Sequence, residues 1–414
     1  MTLNLNATMA EVTWLTRAGR LAEAMALLQG LPQKPKSPEV PEGLDRRPMR
    51  TAPLDRLFID MVPPRSGSGH WMAPGLDAHH GSDAALTEGL APPHVPEAMR
   101  GFLARLGKFG SSPGPRGMAR HRARDVQESL PVGARFEEHT FTNAAGSRTY
   151  KLYIPSHYRG EPLPLVVMLH GCTQSPDDFA VGTQMNELAE EQGLLVAYPR
   201  QPSSANPSKC WNWFNAGDQL RDRGEPSLIA GITRQIMRDV AVDPTRVYVA
   251  GLSAGGAAAA IMGSAYPDLY AAICVHSGLA CGAAKDMPSA LAAMRQGGSL
   301  LMKGAKRPLP TIVFHGDCDN TVSPVNGDQV IAQSKAAAEF QLTISHGQSA
   351  RGVNYTRTVQ SDGSGCPILE QWVLHGAGHA WSGGSPAGSY TEPRGPDASR
   401  EMLRFFLETS KASA

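Results

Sequence analysis

The sequence predicts an α/β fold in which a mostly parallel sheet is covered on both faces by helices. Three observations lead there. From about residue 134 onward, apolar runs of strand length alternate with stretches of helix length, the order that builds parallel sheets. The segment "LPLVVMLHG" (163–171) is apolar for seven residues in succession, as a strand buried on both faces must be. The residue types that carry chemistry cluster just after these runs, where ligands bind in such sheets.

Before residue 134 the chain has a different character. Residues 9–29 predict one helix, because Trp14, Ala18, Leu21, Met25 and Leu28 recur at alternating spacings of four and three and make one apolar stripe. Gly30 and Pro32 mark its end. Such a helix docks on its own protein or on a second copy; a partner-binding helix is the alternative. Residues 31–133 read as a Pro/Gly-rich linker. Fourteen of the 33 prolines fall between residues 30 and 130, and a segment of this kind buries too little apolar area to offset its ordering entropy. Seven Lys/Arg and no Asp/Glu lie between residues 99 and 124, which reads as a solvated basic linker. His70, His79 and His80 in this setting read as no metal site.

Residues 134–414 form the expected globular domain. Strands are predicted at 149–155, 163–169, 194–199, 246–251, 271–278, 310–316 and 367–376. Helices are predicted at 177–193, 227–240, 254–265, 327–338 and 397–409. The net charge of +1 argues against a nucleic-acid binder. No apolar run reaches the roughly 18 residues of a membrane span, and polar residues interrupt any secretory-type apolar stretch near the N-terminus. All six cysteines, Cys172, Cys210, Cys274, Cys281, Cys318 and Cys366, lie in the globular part without a C-x-x-C pair. Zinc-ribbon and thioredoxin-type readings are therefore excluded, while free thiols and disulfides both stay open.

The strand ends suggest nucleophilic catalysis. Gly251-Leu252-Ser253-Ala254-Gly255 follows the strand at 246–250 and opens a helix. This G-x-S-x-G pattern places a serine on a turn so tight that its neighbours must be small. The helix N-terminus beside it favours developing negative charge. His170-Gly171-Cys172 follows the strand at 163–169 and suits one half of an oxyanion hole. The N–H of Ala254 suits the other half. After the strand at 310–316 two aspartates, Asp317 and Asp319, compete for the acid. After the strand at 367–376 two histidines, His375 and His379, compete for the base. His379, in a Gly-rich loop, has the freedom to reach the serine. Asp319, two residues further into its loop than Asp317, is preferred, in part through the resemblance described next. The remaining histidines, including His276 and His315, read as structural or solvent-facing. Trp211, Trp213 and Trp381 fall in loops expected near the site mouth, where aromatics could hold an apolar chain; internal packing of "CWNWF" is the alternative.

Five segments, "HGCTQSPDDFA", "CWNWF", "DPTRVYVAGLSAGGA", "HGDCDNTV" and "GAGHAWSGG", resemble polyhydroxybutyrate depolymerase-type esterases over residues 134–410. The resemblance implies an α/β-hydrolase fold and a triad of Ser253, Asp319 and His379. It implies oxyanion donors at Cys172 and Ala254, and no cofactor or metal. The implied substrate is a polyester, its oligomers or a small ester. It also implies an extracellular protein, whereas the absence of a visible signal segment points to the cytoplasm. A feruloyl or acetyl esterase of plant polysaccharide is the alternative reading. A binding protein working through residues 1–130, and a peptidase, are rivals that a complete triad disfavours.

Overall fold

A computed structural model describes residues 130–298, 308–335 and 339–409. The helix expected over 9–29, the Pro-rich and basic stretches up to residue 129, and His70, His79 and His80 lie outside the described residues.

The chain opens with an antiparallel hairpin, β1 (Arg135–Asn143) and β2 (Gly146–Ile154). The strands β3 (Leu163–Leu169), β4 (Leu195–Pro199), β5 (Val242–Leu252), β6 (Ala272–His276), β7 (Thr311–Gly316) and β10 (Pro367–Leu374) run parallel. A second hairpin of β8 (Gln341–Gln348) and β9 (Asn354–Ser361) adds antiparallel to β10. The ten strands lie in the order β1-β2-β4-β3-β5-β6-β7-β10-β9-β8. Two two-residue strands, β11 (Trp381–Ser382) and β12 (Thr391–Glu392), pair separately.

Two apolar clusters sandwich the sheet. On one face Leu165, Val167 and Leu169 of β3 pack with helices α3 (Gly224–Asp239), α4 (Ala254–Ala265), α5 (Met287–Gln296) and α6 (Val325–Ser334). On the other, Val166 and Met168 pack with α1 (Pro176–Thr183), α2 (Met185–Gln192) and α7 (Ala398–Glu408). Successive residues of a strand point to opposite faces, so a strand covered on both sides is apolar throughout. Every residue of β3, β4, β6 and β7 is buried.

Several expectations need correction. The helix expected at 177–193 is two helices, broken at Gln184, whose φ of 55° is left-handed and cannot continue an α-helix. The strand expected at 149–155 is the second arm of a hairpin whose first arm, β1, buries only Phe136 and so carries little apolar signal. Strand β8 is exposed along nearly its whole length and shows no core-facing alternation. Helix α5 buries mainly Ala290, Ala293 and Met294, a faint stripe. The helix expected at 327–338 begins at Val325; residues 336–338 lie outside the described set. No helix among the described residues is long and apolar enough to cross a membrane.

Candidate active site

Strand β5 ends at Leu252 and α4 begins at Ala254, leaving Ser253 alone in the turn with φ 58° and ψ −117°. A non-glycine residue there is strained and must be held. The holding bonds are Ser253 N–H to the His276 carbonyl at 2.9 Å and Ala257 N–H to the Ser253 carbonyl at 2.9 Å. The flanking glycines are steric requirements. A Cβ on Gly251 would lie 2.3 Å from the Gly255 carbonyl, and one on Gly255 would lie 2.0 Å from the Leu169 oxygen. The strand-to-helix crossing is therefore open only to residues without a side chain.

The two aspartates and two histidines sort into separate pairs. Asp319 Oδ2 meets His379 Nδ1 at 2.7 Å, with both side chains largely shielded from solvent. Asp317 Oδ2 meets His375 Nδ1 at 2.9 Å in an exposed pair, and the other ring nitrogen of His375 lies 2.9 Å from Thr356 Oγ1. Asp319 is the better-built acid. Its Oδ1 accepts from the backbone N–H groups of Thr321 and Val322, both at 2.9 Å. Burial works against its charge, but the charge of His379 and hydrogen bonding from His315 and His379 outweigh burial and hold the carboxyl well below its usual range. An ionised carboxylate only accepts, so His379 Nδ1 carries the proton and Nε2 presents a lone pair. No hydrogen bond joins Ser253 Oγ to His379 among the described residues; in free enzymes this contact commonly tightens only when substrate binds.

His315 and His276, expected to be structural or solvent-facing, are both buried and support the site. The Nε2 of His315 sits 3.5 Å from Asp319 Oδ2 and 2.9 Å from the Val322 carbonyl. His276 offers its carbonyl to Ser253 N–H, while its Nε2 accepts from Ser382 N–H at 3.0 Å and its ring stacks on Trp381. One residue thus ties the serine turn to the loop bearing His379. Burial pushes the His276 imidazole down to about 3 and that of His170 to about 4, so both are neutral near pH 7.

The backbone at the end of β3 distinguishes between the two candidate donors there. Gly171 N–H is occupied by Gln174 Oε1 at 2.9 Å, so it is not free for a substrate. The N–H groups of Cys172 and Ala254 donate to no acceptor among the described residues, and both residues line the cleft beside Ser253. Cys172 is joined to Cys210 in a disulfide, and the other four cysteines are free.

The cleft beside Ser253 is open to solvent. Its lining includes Trp213, Phe214, Leu279, Met287, Leu291 and Met294, with Asn206 as a polar contribution. Of the three tryptophans expected at the mouth, only Trp213 lines this space. Trp211 and Trp381 are each 1% exposed. The Trp211 indole donates to the His170 carbonyl at 3.1 Å and that of Trp381 to Ser399 Oγ at 3.0 Å. Both are internal struts, because an indole buried with its N–H satisfied is more stable than one left half wet. The methionines and leucines of the wall went unnoticed in the sequence, since only long-range packing brings α5 over the serine. Among the described residues no group of three or more His, Cys, Asp or Glu side chains is placed to hold a metal ion.

A serine at a strand-to-helix turn, on a sheet of this order, with an acid and a histidine following β7 and β10, defines an α/β-hydrolase. A solved acetyl xylan esterase from Aspergillus awamori shares the fold, with a TM-score of 0.51 at 19% identity over 66% of this chain and 99% of that one. The model of the esterase PHB depolymerase family matches residues 148–357, half of the chain, and the chain belongs to that family. It is 32% identical over 252 residues to poly(3-hydroxyalkanoate) depolymerase C of Paucimonas lemoignei, covering 58% of this chain and 59% of that protein. It is 28% identical over 250 residues to feruloyl esterase B of Thermothelomyces thermophilus, covering 55% and 82%. It is 25% identical over 278 residues to probable acetylxylan esterase A of Neosartorya fischeri, covering 62% and 72%. The chain therefore spans little more than half the length of the depolymerase it matches.

Proposed function

We propose that this protein is a serine esterase that hydrolyses oligo- or poly(3-hydroxybutyrate) and related short-chain esters through an acyl-enzyme. The observation that carries the reading is Ser253 with two unengaged N–H groups, at Cys172 and Ala254, in one cleft, together with the shielded Asp319–His379 pair on the loops that follow β7 and β10. His379 Nε2 takes the proton of Ser253 as its oxygen attacks the ester carbonyl. The oxyanion is received by the two N–H groups, each worth about 3–4 kcal/mol in the transition state. His379 then protonates the departing alcohol, and water repeats the sequence to free the acid. Asp319 keeps the proton on Nδ1 and stabilises the imidazolium.

The cleft supports a substrate of low charge and short aliphatic acyl chain, since its wall is apolar apart from Asn206 and Ser253. Likeness to the Paucimonas lemoignei depolymerase points the same way. A second reading, hydrolysis of acetyl or feruloyl esters of polysaccharide, is supported by the relatives bearing those names. The test is product release measured chromatographically from 3-hydroxybutyrate oligomers, acetylated xylan and feruloylated sugars at equal ester concentration. Ser253→Ala serves as control, and a fluorophosphonate probe should label Ser253. Release of 3-hydroxybutyrate is expected. Release of acetate or ferulate alone would transfer the assignment to the second reading, and full activity of Ser253→Ala would end both.

A further inference from the structure

Behind the oxyanion loop lies a buried polar network that the mechanism above does not use. Glu225, in the first turn of α3, turns its carboxylate inward, where the side chain is 7% exposed. Four donor groups converge on its two oxygens. Asn212 gives its backbone N–H to Oε2 at 2.7 Å and its side-chain Nδ2 to Oε1 at 2.7 Å. Gln201 Nε2 donates to Oε1, and Arg148 Nη2 stands 3.5 Å from the same atom. Burial, with the nearby Asp218 charge, pushes the Glu225 carboxyl above its ordinary range, against the hydrogen bonds from Asn212 and Gln201 and the charge of Arg148, all of which favour the ionised form.

The two partners of Glu225 lead to the two flanks of Cys172. Asn212 belongs to the loop that also carries Cys210, which is covalently bound to Cys172, and Trp211, whose indole holds the His170 carbonyl. Gln201 reaches the same place by another route. Its side chain donates to the Cys210 carbonyl at 3.0 Å, and its backbone N–H donates to His170 Nε2 at 3.1 Å. Arg148 braces the network by donating from Nε to Gln201 Oε1 at 3.1 Å. One carboxylate thus anchors both the disulfide side and the His170 side of the segment that presents the Cys172 N–H.

We infer that Glu225 is a positioning residue for the oxyanion hole: it sets the direction of the Cys172 N–H through Asn212 and Gln201 without touching the substrate. This rests on the serine-esterase reading above. An oxyanion donor acts only when aimed at the position of the charged oxygen in the transition state, so a small rotation of the Cys172 peptide lowers turnover more than ground-state binding.

The experiment compares full-length wild type with Glu225→Gln on p-nitrophenyl butyrate and on its thiono analogue, in which sulfur replaces the carbonyl oxygen and fits the donors poorly. Rates are normalised to active sites titrated with a fluorophosphonate. The amide keeps the shape of the carboxylate but turns a donor toward Asn212 or Gln201, splaying the network. Expected is a fall in kcat on the oxygen ester of about tenfold to a hundredfold, with KM within about threefold and a smaller fall on the thiono ester. The oxo-to-thiono ratio of kcat/KM therefore shrinks. If Glu225→Gln yields no folded protein, Gln201→Met severs one of the two arms and should shrink the same ratio. Equal losses on both esters, or an unchanged rate per active site, would overturn the positioning role. A wild type that hydrolyses the ester and is labelled at Ser253, yet shows an unaltered ratio in the variants, rejects only this inference. A wild type without Ser253-dependent turnover rejects the esterase reading as well.

Discussion

Replacing Asp319 by asparagine should disable the enzyme by moving one proton and removing one charge. The carboxylate has two roles on two oxygens. Its Oδ1 is held by the N–H groups of Thr321 and Val322, both at 2.9 Å, and its Oδ2 receives His379 Nδ1–H at 2.7 Å. In Asp319→Asn the two backbone donors select the orientation that leaves the carbonyl oxygen on their side. The NH2 group then faces His379 Nδ1. A donor facing Nδ1 turns it into an acceptor, which moves the ring proton to Nε2. The lone pair needed for the Ser253 proton is gone, and so is the charge that stabilises the imidazolium. The expected loss in kcat is about 10⁴-fold, or roughly 5 kcal/mol of transition-state stabilisation. Asp317→Asn breaks the equivalent contact to His375, but in a pair whose side chains are 38% and 42% exposed. Exposed pairs are worth about 0–1 kcal/mol, so turnover should change less than about fivefold. The assay is kcat on p-nitrophenyl butyrate per titrated active site, with circular dichroism to verify folding. A loss below about tenfold at Asp319, or an equal loss at Asp317, would refute the reasoning.

Further outcomes are expected. His170 and His276 are held neutral by burial, with values lowered from 6.5 to about 4 and about 3. The unfolded chain binds their protons first, so stability is intact above about pH 6.5 and falls as pH drops toward 4, at about 1.4 kcal/mol per pH unit for each histidine; urea midpoints measured across this range check it, and a flat profile contradicts it. The Cys172–Cys210 bond closes a span of 38 residues, so Cys210→Ser should cost about 2–4 kcal/mol in chemical denaturation, and an unchanged midpoint would show that the bridge adds no stability. Gly255→Ala should give no folded, active protein, because the new Cβ would meet the Leu169 carbonyl at 2.0 Å; wild-type activity in that variant would contradict the turn geometry. Removal of residues 1–129 should leave turnover of a soluble p-nitrophenyl ester within about twofold, since all five sequence segments and the whole cleft lie beyond residue 134; loss of folding on truncation would disprove the domain boundary.

Some of this protein was legible in the sequence because the governing physics is local. A strand buried on both faces writes itself as an unbroken apolar run, and β3, β4, β6 and β7 were visible for that reason. The serine turn was visible because Gly251 and Gly255 answer to contacts within a few residues and with the adjoining strand. Strands β1 and β8 were not visible, because their stability comes from backbone pairing with a neighbour rather than from side chains buried on one face. The break at Gln184 was invisible too, since its left-handed backbone is not signalled by a glycine or proline at that position.

The sequence by itself determined the fold class and narrowed the candidate site to one serine, two aspartates and two histidines. Tertiary structure sorted the aspartates and histidines into two different pairs. Asp319 and Asp317 differ by two positions in one loop, yet one meets His379 in a shielded site and the other meets His375 at the surface. Their residue types are identical; burial and the direction of approach separate them. The same holds for the tryptophans. All three were candidates for the mouth, and the packing of His170 and His276 drew Trp211 and Trp381 inward, leaving Trp213 at the cleft. The disulfide and the wall supplied by α5 also depend on segments many residues apart in the chain. Chemistry is written in residue types, but which atoms meet is set by long-range packing, and one-dimensional spacing does not encode that.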